Sequence, residues 1–558
     1  MNKLLIHSQN TALSDENYFN VSEQILLFES NNEIDDVDRY IHHTLFREEV
    51  VKKILNADII FIKLGLSDNY LEYYGLRIAY HIRLTKVLKD KSLLPIIFIG
   101  EESIQFIGLT AEMPEILFTG GVYLMNDTKK DFERMIKRFE SNQIKPLNSI
   151  ESFIEKIKVL PPANYLSNHS IDNEWSILNW AKMLNLSNDT GIIKIADNIE
   201  VMLYYKYLMK KNKLVGTYSS EGVQTYRISK LDSKILYIDD DWNKGWKVIL
   251  TEILRGGNSS NFQTLELEYK TLDYTSIENN FKKKLEIFDP DIVILDLRLH
   301  DKDFIENLNI EEFSGLKFLK FIKNKNPGIQ VAIFSSTNKI KNLIGLQNKG
   351  ADSFLFKSST DNNYDKVILN FKNSIEFLQE KVFIKKMIEI CYHIDELLKK
   401  ANENDFEQYD YDEFILDLQA KNKINIFNLS KINLEIKNTI NITFLCFFNF
   451  LESFKNYFFK KNTSLVGYDE LAFICYSEDK KGQIFKNSII EYSWTSCTAF
   501  LYIEYFELLS MNDSFIQSLF HLNRRRNDFI HKKITNFSKD ELIKIVDLSE
   551  LICTNLKN

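Results

Sequence analysis

Asp291-Ile292-Val293-Ile294-Leu295-Asp296 is the stretch on which the fold of this chain turns. Four consecutive apolar residues between two acids read as a short strand buried on both faces, the signature of a parallel sheet covered by helices. Such a strand delivers Asp296 to the carboxyl edge of an open α/β sheet, where ligands bind. Three neighbouring runs repeat the pattern. Ile235-Leu236-Tyr237-Ile238 ends in Asp239-Asp240, Val331-Ala332-Ile333-Phe334 ends in Ser335-Ser336, and Phe354-Leu355-Phe356 ends in Lys357.

Four strands ending in these polar groups resemble the receiver domain of bacterial two-component response regulators, over residues 233–380. The resemblance implies that a partner histidine kinase or phosphotransfer protein phosphorylates Asp296. Moving a phosphoryl group onto a carboxylate requires charge neutralisation more than bond-making help, so a hard divalent cation is needed. Asp239, Asp240 and Asp296 are the expected Mg²⁺ holders. Lys357 would pair with a phosphoryl oxygen as a point charge and Ser335 would hydrogen-bond another. By the same resemblance, Phe354 takes the aromatic switch position. Read as ordinary strand-end polar residues, the same groups would carry no chemistry.

Two features depart from the family. Ser358 stands where a proline usually follows the lysine, and the stretch from Asp296 to Gly315 is long for its loop. That stretch carries Asp301, Asp303, Glu306, Glu311 and Glu312, and reads as a solvated insertion rather than a selector of phosphodonor.

Residues 1–145 repeat the alternation of strands and helices without the acids. Laying Asp58-Ile59-Ile60-Phe61-Ile62-Lys63-Leu64 over Asp291 to Leu297 puts Lys63 in the acceptor position. His7-Ser8 replaces the acid pair, Gly100 the hydroxyl, and Asn126 the lysine. A fold survives loss of its site because packing depends on the buried strands. This segment reads as a pseudo-receiver, a docking or dimerisation module that takes neither Mg²⁺ nor phosphoryl.

At 558 residues and 44% hydrophobic content the chain is too long for one core. The net charge of −8 disfavours global nucleic-acid affinity, leaving only a local basic patch for such contact. Cys391, Cys446, Cys475, Cys497 and Cys553 form no CxxC pair and read as buried thiols of a reducing cytoplasm. Met1 to Ile6 runs straight into a strand pattern with no signal-peptide character, and Phe444 to Leu451 is too short to span a membrane. A cytoplasmic protein without a membrane segment is expected.

Residues 146–232 break at Pro161-Pro162 and continue as two helices, one from Trp175 to Leu186 and one from Ile195 to Leu208. His169 reads as a cap or loop residue. After Pro327 there is no proline, and after Gly350 only Gly467 and Gly482, so 381–558 is expected to be all helical. Val367, Ile368, Phe371, Ile375, Leu378 and Val382 carry the last receiver helix into it without punctuation.

Within Leu522 to Lys533, Arg526-Asn527 followed by His531 resembles the R-x4-6-H motif of the HEPN superfamily, compact helical bundles that include metal-independent endoribonucleases. The resemblance implies catalysis by Arg526 and His531 with Asn527 in support, in a homodimer whose two motifs share one cleft. His531 could move a proton near neutral pH and Arg526 could stabilise a developing dianion. Arg524, Arg525 and Lys532 would contact RNA. A solvated basic face, RNA binding without cutting, and packing against an acidic surface are the other readings of this stretch.

The sequence thus predicts a multidomain α/β plus α protein. Its parts are two flavodoxin-like doubly wound receiver folds (1–145 and 233–380), a helical connector (146–232) and an all-helical HEPN-like bundle (381–558). The expected function is a response-regulator-like signalling protein with a candidate antiphage or toxin-type endoribonuclease output. A non-enzymatic adaptor or phosphate sink is the alternative.

Overall fold

The computed structural model describes residues 1–8, 21–28, 36–67, 72–161, 168–186, 188–211, 223–254, 259–269, 271–305, 310–336, 346–347, 349–359, 363–403, 409–465, 472–477, 480–486 and 513–556. Pro162, Glu306 and Cys497 lie outside them, as does the side chain of Cys475. The chain divides into two compact units, Met1–Tyr226 with Asn243–Glu252 and Lys357–Ile368, and Arg227–Trp242 with Ile253–Phe356 and Leu369–Asn558.

In the first unit, β1 (Lys3–His7), β2 (Glu23–Leu26), β3 (Ile59–Lys63), β4 (Ile96–Ile99) and β5 (Val122–Met125) form a parallel sheet in the order β2-β1-β3-β4-β5. Between and after them run α1 (Val37–Leu45), α2 (Glu48–Asn56), α3 (Tyr74–Leu84), α4 (Ile104–Thr110) and α5 (Lys129–Glu140). Ile60, Ile62, Ile96 and Phe98 point to one buried face and Phe61, Ile97 and Ile99 to the other, as period-two alternation between two helical layers requires. The connector folds as α6 (Ile150–Ile154), α7 (Asn168–Met183), α8 (Thr190–Val201) and α9 (Leu203–Lys211). The single helix expected over Ile195–Leu208 is therefore two. Met202 leaves the helical region at ψ 131°, and Asp38 Oδ2 of α1 accepts the freed Leu203 N–H at 3.3 Å.

The second unit holds β6 (Ile235–Ile238), β7 (Phe262–Thr264), β8 (Ile292–Leu295), β9 (Gln330–Ser335) and β10 (Ser353–Phe356), parallel in the order β7-β6-β8-β9-β10. Counted within each sheet, the two orders are identical, 2-1-3-4-5. α10 (Trp246–Ile253), α11 (Tyr274–Phe288), α12 (Ser314–Lys325) and α13 (Tyr364–Lys381) alternate with these strands.

Two backbone devices recur in both sheets. Asp58 and Asn2 exchange hydrogen bonds at 2.8 and 2.9 Å before the central strand of one, as Asp291 and Lys234 do at 2.9 and 2.8 Å in the other. A Cβ on Gly75 would stand 2.3 Å from the Lys63 carbonyl, and one on Gly315 would stand 2.2 Å from that of Asp296. Only glycine allows so close a start of the following helix.

The C-terminal region contains α14 (Phe383–Glu403), α15 (Tyr409–Ser430), α16 (Lys437–Leu465), α17 (Asp513–Ile530) and α18 (Lys539–Asn555). Ile388, Leu398, Ile415, Phe444, Phe447, Leu522 and Ile545 form its core. It is not all helical: β11 (Ala472–Ser477) and β12 (Lys480–Lys486) pair antiparallel, Phe473 opposite Phe485 and Ile474 opposite Ile484. Scarcity of proline and glycine does not exclude strands, since the absence of helix breakers is no signal against a hairpin. Nor does α13 run unbroken into α14. A one-residue interruption at Val382 turns the chain, and Lys385 Nζ then binds Asp289 Oδ2 at 2.9 Å and Asp291 Oδ1 at 3.3 Å.

Candidate phosphoryl-accepting site

β6 and β8 lie side by side in register, Ile238 opposite Leu295, so the residues that follow them emerge together at one edge. Asp296 N–H donates to the Ile238 carbonyl at 2.9 Å, which fixes the rim. The carboxylates of Asp239, Asp240 and Asp296 each offer an oxygen, all within 4.8 Å of one another. Asp239 is fully buried and its Oδ1 accepts Asp241 N–H at 2.8 Å; Asp296 Oδ1 accepts Arg298 N–H at 3.3 Å. Their charge reaches the neighbouring phenols. Burial, then the Asp239 carboxylate, pushes Tyr237 well above its ordinary range, and burial with Asp239 and Asp240 does the same to Tyr269. A hard divalent cation fits this donor set: three carboxylate oxygens converge where mutual repulsion demands neutralisation.

Ser335 closes β9 and pairs with Phe356 of β10; both are half-buried, as is Phe354. Lys357 follows β10 directly and is 2% exposed. In the first unit its Nζ lies 5.7 Å from the Trp246 ring centroid. Two acids of the 297–313 stretch, Asp303 and Glu311, are tied into the fold. Buried Asp303 accepts Leu299 N–H at 2.9 Å and Ser314 N–H at 3.1 Å, and Glu311 pairs with Lys320 and Lys349. Among the described residues of the insertion, Asp303 is therefore held inside the fold rather than solvated, while Asp301 and Glu312 are exposed.

At the matching edge of the first sheet the charges are exchanged. The registers make Lys63 equivalent to Asp296, His7-Ser8 to Asp239-Asp240, Gly100 to Ser335, and Asp127 to Lys357. The residue in the lysine position is therefore Asp127, not Asn126, because β5 extends one residue less far relative to β4 than the strand-end match assumed. Lys63 Nζ lies 3.4 Å from Asp127 Oδ2, both nearly buried. His7 is engaged by Gln24 Oε1 at 3.1 Å and Ser8 Oγ by the Phe28 carbonyl at 3.4 Å.

In the C-terminal region Arg526 Nη2 donates to Glu452 Oε1 at 3.2 Å, Nη1 donates to Asn527 Oδ1 at 3.1 Å, and its guanidinium lies 5.2 Å from the Phe448 ring. His531 is exposed beyond the end of α17, and no hydrogen bond joins it to Arg526. Arg525 is held by Glu541 of the α18 capping box, which removes it from the exposed basic rim of Arg524, Lys532 and Lys533.

Sequence reasoning missed a buried chain of ionisable groups in the first unit. Arg77 Nε donates to Asp38 Oδ1 at 2.6 Å, and His81 Nε2 meets the same oxygen at 3.0 Å. Lys206 Nζ of α9 lies 3.0 Å from His81 Nδ1 and 2.8 Å from His42 Nδ1. An ammonium only donates, so both Nδ1 atoms accept and His81 carries its proton on Nε2 toward Asp38. Burial, then the Lys206 charge, lowers His81 to about 4 and His42 to about 3, while burial lowers Lys206 to about 7. No local motif signals this set, which gathers residues from three distant segments.

Residues 10–125 match the iREC family, the Inactive Receiver domain. No curated protein matches the chain. Among solved structures, NtrX from Brucella abortus aligns at 17% identity and TM-score 0.20, over 36% of this chain and 40% of that one. A putative two-component system response regulator/GGDEF domain protein aligns at 10% identity and TM-score 0.18, over 68% of this chain and all of that one. The chain thus spans less than half of the NtrX chain. Among the described residues, no helix is long and apolar enough to cross a membrane.

Proposed function

We propose that this is a response-regulator-like signalling protein in which residues 233–380 accept a phosphoryl group on Asp296, the N-terminal inactive receiver takes none, and the C-terminal helical region is the output. The observation that carries this reading is the convergence of Asp239, Asp240 and Asp296 at the edge of one sheet, against Lys63 and Asp127 at the matching edge of the other. An Asp296 oxygen would attack the phosphorus of a phosphohistidine on a partner kinase or phosphotransfer protein. The P–N bond breaks with its electron pair left on the imidazole. Ser335 and Lys357 would hold the transferred oxygens, and Phe354 would follow the hydroxyl. Mg²⁺, with Asp239, Asp240 and Asp296 as its holders, supplies charge neutralisation to this transfer. The test is labelling with acetyl phosphate and Mg²⁺: one phosphoryl per chain is expected, and label persisting on Asp296→Asn would overturn the assignment.

For the output, the exposed rim of Arg524, His531, Lys532 and Lys533 supports an RNA-directed activity, metal-independent cleavage that needs a second copy of the chain to complete the Arg526/His531 pair. The hold of Glu452 and Phe448 on Arg526 favours the adaptor alternative, in which this region binds a protein and cuts nothing. Incubation with total RNA, with and without a phosphoryl mimic, separates them. Cleavage lost in both Arg526→Ala and His531→Ala and insensitive to chelator supports the ribonuclease; intact RNA under every condition leaves the adaptor.

A further inference from the structure

α7 grips the segments that follow two parts of the proposed site. Trp180 and Trp246 are both fully buried, their rings T-shaped with centroids 5.3 Å apart. Trp180 Nε1 donates to the Lys357 carbonyl at 3.0 Å, and Trp246 Nε1 donates to Asn173 Oδ1 at 2.9 Å. Ser176 Oγ meets Tyr364 OH at 3.3 Å. Asn173, Ser176 and Trp180 lie three and four residues apart and so share one helix face. That face is spent on Asn243–Glu252, which follows the acid pair, and on Lys357–Ile368, which begins with the lysine. The indole N–H on its carbonyl fixes the backbone of Lys357, and the Trp246 ring attracts its ammonium.

We propose that α7 senses the phosphoryl state of the receiver: Trp180 is a positioning residue for Lys357, and transfer of the ammonium onto a phosphoryl oxygen takes a cation from the Trp246 ring and loosens the hold of α7. This rests on the reading of Asp296 and Lys357 given above. The indole ring and a phosphoryl dianion compete for the one ammonium, and the dianion wins because its attraction is ionic. The inactive receiver and connector would thereby respond to phosphorylation without a site of their own.

The full chain is treated with acetyl phosphate and Mg²⁺ while label and tryptophan emission are followed together. Emission should change as label is incorporated, fail to change in Asp296→Asn, and change less in Trp246→Phe. Lys357→Met, which keeps the stem and removes the charge, should shift the resting emission toward the phosphorylated value. Trp180→Phe keeps a ring and loses the donor; its labelling rate should fall on the order of tenfold as the lysine loses its fixed geometry. Label incorporated with unchanged emission, or a Trp180→Phe protein that labels at the normal rate, overturns the sensor. Absence of label in the unaltered protein overturns the receiver reading and the sensor with it.

Discussion

The two five-stranded sheets of this chain share strand order, the aspartate that ties the amino end of the central strand, and a glycine pressed against the backbone after it. They part at the carboxyl edge. One gathers Asp239, Asp240 and Asp296; the other holds Lys63 against Asp127, acid and base having changed places. The interchange keeps an attraction across the strand ends, while the three converging carboxylates of the one edge have no counterpart among Lys63, His7 and Ser8 at the other. Fold is set by the apolar strands and their backbone ties, and chemistry by a few polar tips.

The sharpest way to break this comparison is to remove the acids from one edge and the polar groups from the other. Asp239→Asn with Asp240→Asn should abolish Mg²⁺-dependent labelling, whereas His7→Ala with Ser8→Ala should leave it unchanged. Peptide mapping of the label checks both. Label on any residue of the first sheet would end the distinction.

Exchange of the single charges should be costly and reciprocal. Lys63→Asp confronts Asp127 with a like charge and Asp127→Lys does the same to Lys63, each expected to destabilise by about 3–5 kcal/mol where the pair is nearly buried. The double exchange should recover most of that loss. Hydrogen exchange in β3 and β5 reads the effect locally, where global unfolding of several domains would not be two-state.

Acid should loosen the first unit before the second. An unperturbed histidine takes a proton near 6.5, while His81 is held at about 4 and His42 at about 3. Between those values the unfolded chain binds more protons, so stability falls as pH drops through 6.5 toward 4, by about 3 kcal/mol for His81 alone. Lys206 acts in the same direction at higher pH: between about 7 and 10.5 the unfolded chain again binds the extra proton, and stability rises with pH. The groups around the histidines are Asp38, Arg39 and His43 on α1, Arg77 on α3, Asp197 and Glu200 on α8, and Lys206 on α9. Hydrogen exchange of α1, α3 and α9 from pH 8 to pH 5 is the measurement, and equal loosening of α11 and α12 would refute it.

The smallest effect tests what the sheets share. Gly75→Ala and Gly315→Ala each force a methyl onto a carbonyl oxygen and should destabilise by similar amounts, about 1–3 kcal/mol. A large loss at one position and none at the other would show that the two helices do not start by the same device.

Much of the candidate site is legible in the sequence. Asp239, Asp240, Asp296, Ser335 and Lys357 each follow or close a short apolar run, and such a run is a local signal of a strand buried on both faces, whose direction in a parallel sheet sets its tip at the carboxyl edge. Where position depended on a partner, the sequence was silent or misleading. Asp127 rather than Asn126 faces Lys63 because the register of β4 and β5 decides it. Asp38, His81 and Lys206 meet only because α1, α3 and α9 pack, and Trp180 reaches Lys357 across 177 positions of chain. Arg526, close to His531 in sequence, is held by Glu452 and Phe448 on another helix, while His531 follows the last residue of its own helix and is exposed. Periodicity determines which face of an element is buried, but the choice of partner for a polar side chain is made by desolvation and packing among distant segments, and that only the tertiary structure decides.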